Sequence, residues 1–206
     1  MIAVIAIIAL NLIVTIIGFR AFKSQEEPEK FLFIPYMVAR GENLKGLLFS
    51  QFAHAGWMHL GFNMISFIFF APGLAAAPDI GPLGMVAIYV ISGIGADALV
   101  FLLKQKDPQY SALGASGSVS GIIFAAIVVN PHMSLIIFPV PIPIPAPIFA
   151  IGYLALSFYL SRRGDLGGIS HEAHIGGALT GFAAAAILSK NGLGPLLMRL
   201  QEFLPG

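Results

Sequence analysis

Leu113-Gly114-Ala115-Ser116-Gly117-Ser118-Val119-Ser120-Gly121-Ile122-Ile123-Phe124-Ala125-Ala126-Ile127-Val128-Val129 carries no charge, opens in small and hydroxylic side chains, and closes in bulky apolar ones. Asn130-Pro131 then stops it. In hydrocarbon, polar side chains are costly and face a protein interior or a wet cavity. A helix over 113–129 would therefore cross a membrane with its polar first turns turned toward other helices, and those turns are where chemistry is expected.

The rest of the chain reads the same way. Apolar segments fall at 1–19, 58–77, 83–103, 146–160 and 173–188, each ended by proline, glycine or charge. At roughly 20 residues per span, the sum is six membrane helices filling a single domain over 1–206. The stretch 20–57 is the one large loop, and nine of its residues from Arg20 to Lys45 are charged. Met1 to Phe19 lacks a basic start and a small-residue cleavage site, and it exceeds the 7–15 residues of a signal-peptide core. It is expected to be a retained first helix. The run Pro139-Val-Pro-Ile-Pro-Ile-Pro145 cannot be interior helix, because each proline lacks an amide donor and clashes with the preceding turn. It is expected to be an extended, interfacial lead-in to the fifth helix.

Composition supports this reading. Of 206 residues, 57% are hydrophobic and 10% charged, with 11 Lys and Arg against 10 Asp and Glu, and the mean hydropathy is +0.88. Soluble domains carry about 25% charged residues, so too few charges remain to coat a water-facing globule. A net charge of +1 does not suit a nucleic-acid binder, which must neutralise phosphates. The absence of cysteine removes disulfides, thiolate metal sites and a cysteine nucleophile. The fold class is an all-α membrane protein in contact with the lipid bilayer. Lys and Arg counted by loop would put the termini outside the cell under the positive-inside rule.

Polar residues inside the spans define a site. His54, His59 and Asn63 open the second span, and the last two, four apart, share a helical face. Ser116 opens the fourth span and His174 the sixth. If spans alternate in direction, the starts of spans two, four and six lie at one membrane face. Gly117 with Gly121, and Gly177 with Gly181, form small-xxx-small faces that let the fourth and sixth helices approach closely. His174 would then reach Ser116 and activate its otherwise weakly nucleophilic hydroxyl. His59, Asn63 and the backbone amides of Ala115 and Ser116 would stabilise an oxyanion at the positive end of a helix. The parts are those of an intramembrane serine hydrolase.

These motifs resemble the rhomboid family of intramembrane serine proteases. His54-Ala-Gly-Trp-Met-His59-Leu-Gly-Phe-Asn63 is similar to its second-helix signature, Gly114-Ala115-Ser116-Gly117 to its GxSG nucleophile motif, and Ala173-His174-Ile-Gly-Gly177-Ala-Leu-Thr-Gly181 to its AHxxGxxxG motif. The resemblance covers about residues 46–190. It implies a six-helix bundle, a Ser116–His174 dyad, and His59 and Asn63 as oxyanion donors, with Gly114, Gly117, His54, Gly177 and Gly181 in support. It also implies transmembrane segments of membrane proteins as substrates, and neither cofactor nor metal. The implied location is the inner or plasma membrane, with an extracytoplasmic active site and cytoplasmic termini, against the charge count. Two departures stand out. No Trp-Arg pair occurs near Gly46 to Ser50, which bears on how the first loop is anchored. Ser120 occupies the position where some members place an aromatic under the base, so His174 must be held by something else.

Two motif readings fail on inspection, and two other functions stay open. His171-Glu172-Ala173-His174 looks metal-like, but its histidines are three apart rather than the four of H-E-x-x-H. Gly93-Ile-Gly95-Ala-Asp97 is similar to an intramembrane aspartyl protease signature with one residue too many. Such enzymes need two carboxyls sharing a proton, and Asp97 has no intramembrane counterpart. A rhomboid-like pseudoprotease that binds transmembrane helices, or a small transporter, would use the same scaffold without the hydrolysis.

Overall fold

The computed structural model describes residues 1–137, 140–163 and 169–203. Nine helices dominate them, and the core lies among six of these: α1 (Ile2–Ser24), α4 (Trp57–Ala76), α5 (Gly81–Lys104), α6 (Ser116–Val129), α7 (Ala146–Arg163) and α8 (His171–Leu188). Three of them, α1, α4 and α5, are long and apolar enough to cross a membrane. At 1.5 Å per residue, the 14 residues of α6 reach about 21 Å, short of a hydrocarbon core of about 30 Å. Its polar start is Ser116 itself, three residues later than the sequence pattern suggested.

Glycine sets how tightly the centre packs. A Cβ on Gly177 would overlap the Gly117 carbonyl oxygen, and one on Gly181 would overlap the backbone of Gly121. On the other flank of α8, a Cβ on Gly176 would come 2.6 Å from the Gly95 carbonyl oxygen of α5. Thus α8 is wedged between α5 and α6 with its backbone against both. Without a hydrophobic driving force between helices in lipid, this close van der Waals contact is what holds them together. The outer faces carry large exposed apolar side chains such as Ile5, Phe69, Ile94 and Ile151, as expected of surfaces that meet lipid.

The first loop begins later than expected, because α1 runs on to Ser24 and ends in a left-handed Gln25. It holds a 3-10 turn over Pro28–Phe31, then α2 (Pro35–Val38) and α3 (Leu44–Phe49). No Trp-Arg pair is needed to anchor it. Asn43 Oδ1 accepts from the Gly46 amide at the start of α3, while its Nδ2 donates to the carbonyls of Glu29 and Leu32 at 2.9 and 3.0 Å. Phe31 stacks on Phe49, with centroids 6.0 Å apart. Phe33 and Ala112 exchange both backbone hydrogen bonds (2.8 and 3.0 Å), and the Gly114 amide donates to the Ser50 carbonyl at 2.8 Å. The loop is thereby stitched to the segment leading into Ser116.

Two elements correct the all-α expectation. Ser134–Ile137 (β1) and Val140–Pro145 (β2) form an antiparallel hairpin with a register shift between Ile136 and Ile137. From Val140 to Pro145 the proline run is extended as expected, Pro139 lying outside the described residues, but the pairing with β1 was not foreseen. A ninth helix, α9 (Gly194–Gln201), follows α8. It packs Leu196 against Leu135, Ile127 and Ala146, so α9 and the hairpin cover the end of the bundle opposite Ser116.

Candidate active site

Ser116, His174, His59 and Asn63 line one cavity of about 480 Å³, with Asp97 and Tyr153 further along its wall. Each reaches it from the first turns of its helix. Ser116 is the first residue of α6. His174 follows the N-cap of α8, where Ser170 Oγ accepts from the Ala173 amide at 3.2 Å. His59 and Asn63 stand one turn apart on α4, and Asn63 Nδ2 donates to the His59 carbonyl at 3.0 Å. That bond uses one of the two N–H donors of the carboxamide. No hydrogen bond joins Ser116 Oγ to His174 among the described residues; in ligand-free hydrolases such bonds are often long and tighten on substrate binding.

Gly114 makes room for the His59 ring. Its φ of +127° lies in the region that favours glycine. A Cβ there would come 2.6 Å from Cε1 and 2.9 Å from Nε2 of His59. The glycine lets the backbone before Ser116 run directly beneath the His59 imidazole.

His54 has no solvent exposure and ties three elements together. The Ala115 amide donates to its Nε2 across a long 3.4 Å contact. With Nε2 accepting, Nδ1 carries the proton and donates to Thr15 Oγ1 of α1 at 2.9 Å. Thr15 in turn donates to the Phe52 carbonyl at 3.1 Å. Burial, and then the neighbouring His59, push the His54 pKa down to about 4, so it stays neutral at ordinary pH. The Ala115 amide, expected among the oxyanion donors, is directed at His54 in this structure. Sequence reasoning also missed Thr15, although a lone threonine in an otherwise apolar span was the available signal.

The entrance of α8 is pinned from three sides. Glu172 pairs with Lys104 of α5 at 3.1 Å and accepts from Ser161 Oγ of α7 at 3.0 Å. Tyr110 donates to Ser170 Oγ at 2.6 Å. Glu172 thus serves an ion pair that joins α8 to α5. His132 lies in the turn before the hairpin, and Asp97 faces the cavity wall beside Gln51.

The imidazole of His174 lies near two rings. Tyr153 of α7 is stacked with it, the centroids 6.2 Å apart and the planes 23° from parallel. His171 meets it edge-on at 6.0 Å. Tyr153 is anchored in turn, its hydroxyl 2.7 Å from Ser120 Oγ. This ring was not foreseen. Ser120 at the position four residues past Ser116 was the visible departure, but its partner sits 33 residues away on another helix.

The sequence model of the Rhomboid domain matches residues 41–191, which include every residue of the cavity discussed above except Phe33. The chain belongs to the rhomboid family. Among curated relatives, it is 30% identical over 151 residues to RHOMBOID-like protein 6, mitochondrial, of Arabidopsis thaliana (73% of this chain, 46% of the relative). It is 29% identical over 154 residues to Rhomboid protease AarA of Providencia stuartii (64% and 51%), and 31% over 160 residues to Rhomboid-related protein 1 of Caenorhabditis elegans (75% and 42%). The chain spans about half or less of the length of these relatives. With its apolar helices, this rhomboid is a membrane protein.

Proposed function

We propose that this rhomboid is an intramembrane serine endopeptidase that cuts peptide bonds in or beside transmembrane segments of membrane-protein substrates. The observation that carries the reading is the convergence of Ser116, His174, His59 and Asn63 on one cavity, made possible by the glycine contact of α6 with α8. Ser116 Oγ attacks the scissile carbonyl carbon while a ring nitrogen of His174 takes its proton. The tetrahedral oxyanion is met by His59, the free N–H of Asn63 and the Ser116 amide; each such donor is worth on the order of 3 kcal/mol in hydrolases generally. Collapse breaks the C–N bond, and the proton on His174 passes to the leaving amine. Water, deprotonated by His174, then releases the acyl group from Ser116. The pair is a dyad, and the reaction needs neither cofactor nor metal.

In this reading α1 and α4 to α8 are six spans of the inner or plasma membrane. The short α6 sets Ser116 below the membrane surface, at a depth where water enters from one side only. The active-site end faces the extracytoplasmic side and both termini the cytoplasm. The cysteine-free sequence suits a test of orientation, because single cysteines placed at Glu42 and Glu202 should differ in labelling by an impermeant maleimide.

The function itself is tested in vesicles that hold the protein with a panel of single-span, tagged membrane proteins. Fragments formed by wild type and absent with Ser116→Ala are expected. Helix binding without any fragment, by a folded wild type, would favour the pseudoprotease, and solute flux that survives Ser116→Ala would favour a transporter.

A further inference from the structure

The proposed dyad has no third residue to orient its base. In serine hydrolases generally, the imidazole must be held in one orientation for proton transfer to be efficient. The helix that carries His174 offers only His171, edge-on and on its own first turn. The position on α6 that could carry a supporting ring is Ser120, whose side chain is too small to reach under an imidazole. What lies against the face of His174 is Tyr153, a half-buried tyrosine of α7.

Three observations show that Tyr153 is held in place. Its hydroxyl is 2.7 Å from Ser120 Oγ, so the small residue on α6 serves as the anchor for a ring supplied from α7. Phe124 of α6 and Phe149 of α7 flank it, with centroids at 5.6 and 5.7 Å. Its distance to His174 lies inside the 4.5–7 Å range in which rings interact, and the near-parallel planes leave the ring nitrogens of His174 free at its edge. A stacked ring restricts tilt of the imidazole while leaving both nitrogens available for proton transfer.

We infer that Tyr153, fixed to α6 through Ser120, is the positioning residue that seats the His174 imidazole, so that the base is oriented from a helix carrying neither the nucleophile nor the base. The inference rests on the proposed Ser116–His174 dyad for its catalytic meaning. The ring removes alternative tilts of His174, and the hydroxyl bond keeps the ring where it does so. Loss of the ring should therefore lower the rate of the chemical step without changing reagent binding.

The test compares wild type with Tyr153→Phe, Tyr153→Leu, Ser120→Ala and the Ser120→Ala/Tyr153→Phe double variant in detergent. Each is checked for folding by size exclusion and thermal unfolding. A fluorophosphonate probe reports kinact and KI for Ser116. Tyr153→Leu should lower kinact by about tenfold or more, up to the 10²–10⁴ that general base catalysis supplies in full, with KI unchanged. Tyr153→Phe keeps the ring and should stay within about threefold of wild type. The double variant should lose no more than the larger single loss, because both changes remove the same bond.

Histidine-selective NMR reads the seat without requiring activity, with His174 assigned by loss of its signals in His174→Ala. The His174 ring protons should shift on going to Tyr153→Leu and stay in place in Tyr153→Phe. A folded Tyr153→Leu with wild-type kinact would overturn the inference, as would unchanged His174 signals or a Tyr153→Phe as slow as Tyr153→Leu. Failure of wild type to label at all would instead count against the dyad, and the NMR comparison would still decide whether Tyr153 seats His174.

Discussion

Gly177 of α8 rests its α-carbon against the backbone of Gly117, one residue past Ser116, with no room for a methyl group between them. The approach of α8 to α6 at this level is therefore set by the missing side chain of Gly177 rather than by any polar contact. Overpacking a tight interface costs typically 1–3 kcal/mol, and here the yielding atoms are backbone. Gly177→Ala should lower the unfolding midpoint in detergent and abolish fluorophosphonate labelling together. Gly61→Ala, at a position where an added Cβ meets nothing within 4 Å, should do neither.

Gly114 should be as intolerant for a different reason. Its positive φ and the His59 ring where a Cβ would stand make Gly114→Ala both strained and obstructive. Loss of one oxyanion donor costs about 10²–10³ in rate. Gly114→Ala and His59→Ala should each lower the labelling rate by about that factor, and the double variant by little more than either one, because both act on the same donor.

Fold and site were legible to different depths. The apolar helices could be read because apolar runs and their breakers are local, and alternation of direction was enough to expect Ser116, His174, His59 and Asn63 near one another, as the cavity they line has them. The hairpin was hidden because Pro141, Pro143 and Pro145 say only that the chain is not helical there. Nothing in Ser134–Ile137 announces a partner strand. The engagement of the Ala115 amide was equally out of reach, since His54 lies 61 residues away and motif spacing does not reveal which backbone donors are already spent. Tyr153 was invisible for the same reason, being one of several aromatics in a segment with no strong helical face.

His54 makes stability depend on pH. Its folded pKa, held near 4 by burial, lies below the unfolded value of about 6.5. Between those values the unfolded chain binds a proton that the native state refuses, so its contribution is complete above about pH 6.5 and is lost as pH falls toward 4. Unfolding in detergent followed across that range should show stability declining with acid in wild type. The decline should be shallower in His54→Gln, which removes the titrating ring. Equal slopes in the two proteins would contradict the assignment.

The Lys104–Glu172 pair fastens α5 to the start of α8 with Glu172 almost out of solvent. Breaking a buried pair by removing one partner costs up to 3–5 kcal/mol, more than its net worth, because the remaining charge is left alone. With Lys104 partly exposed, the loss in Lys104→Met should fall to roughly half of that. Lys104→Met/Glu172→Gln should recover part of it. Thermal unfolding of the three proteins checks this, and a double variant less stable than Lys104→Met would refute it.

The proposed role of Ser116 as an activated nucleophile, with His174 as its base, is open to one direct measurement. Purified protein in detergent is treated with a fluorophosphonate probe, digested, and the modified residue located by mass spectrometry, beside folded Ser116→Ala and His174→Ala. One adduct is expected, on Ser116, formed by wild type and absent from both variants. An adduct on another serine, or labelling of Ser116 that persists undiminished in His174→Ala, would contradict it.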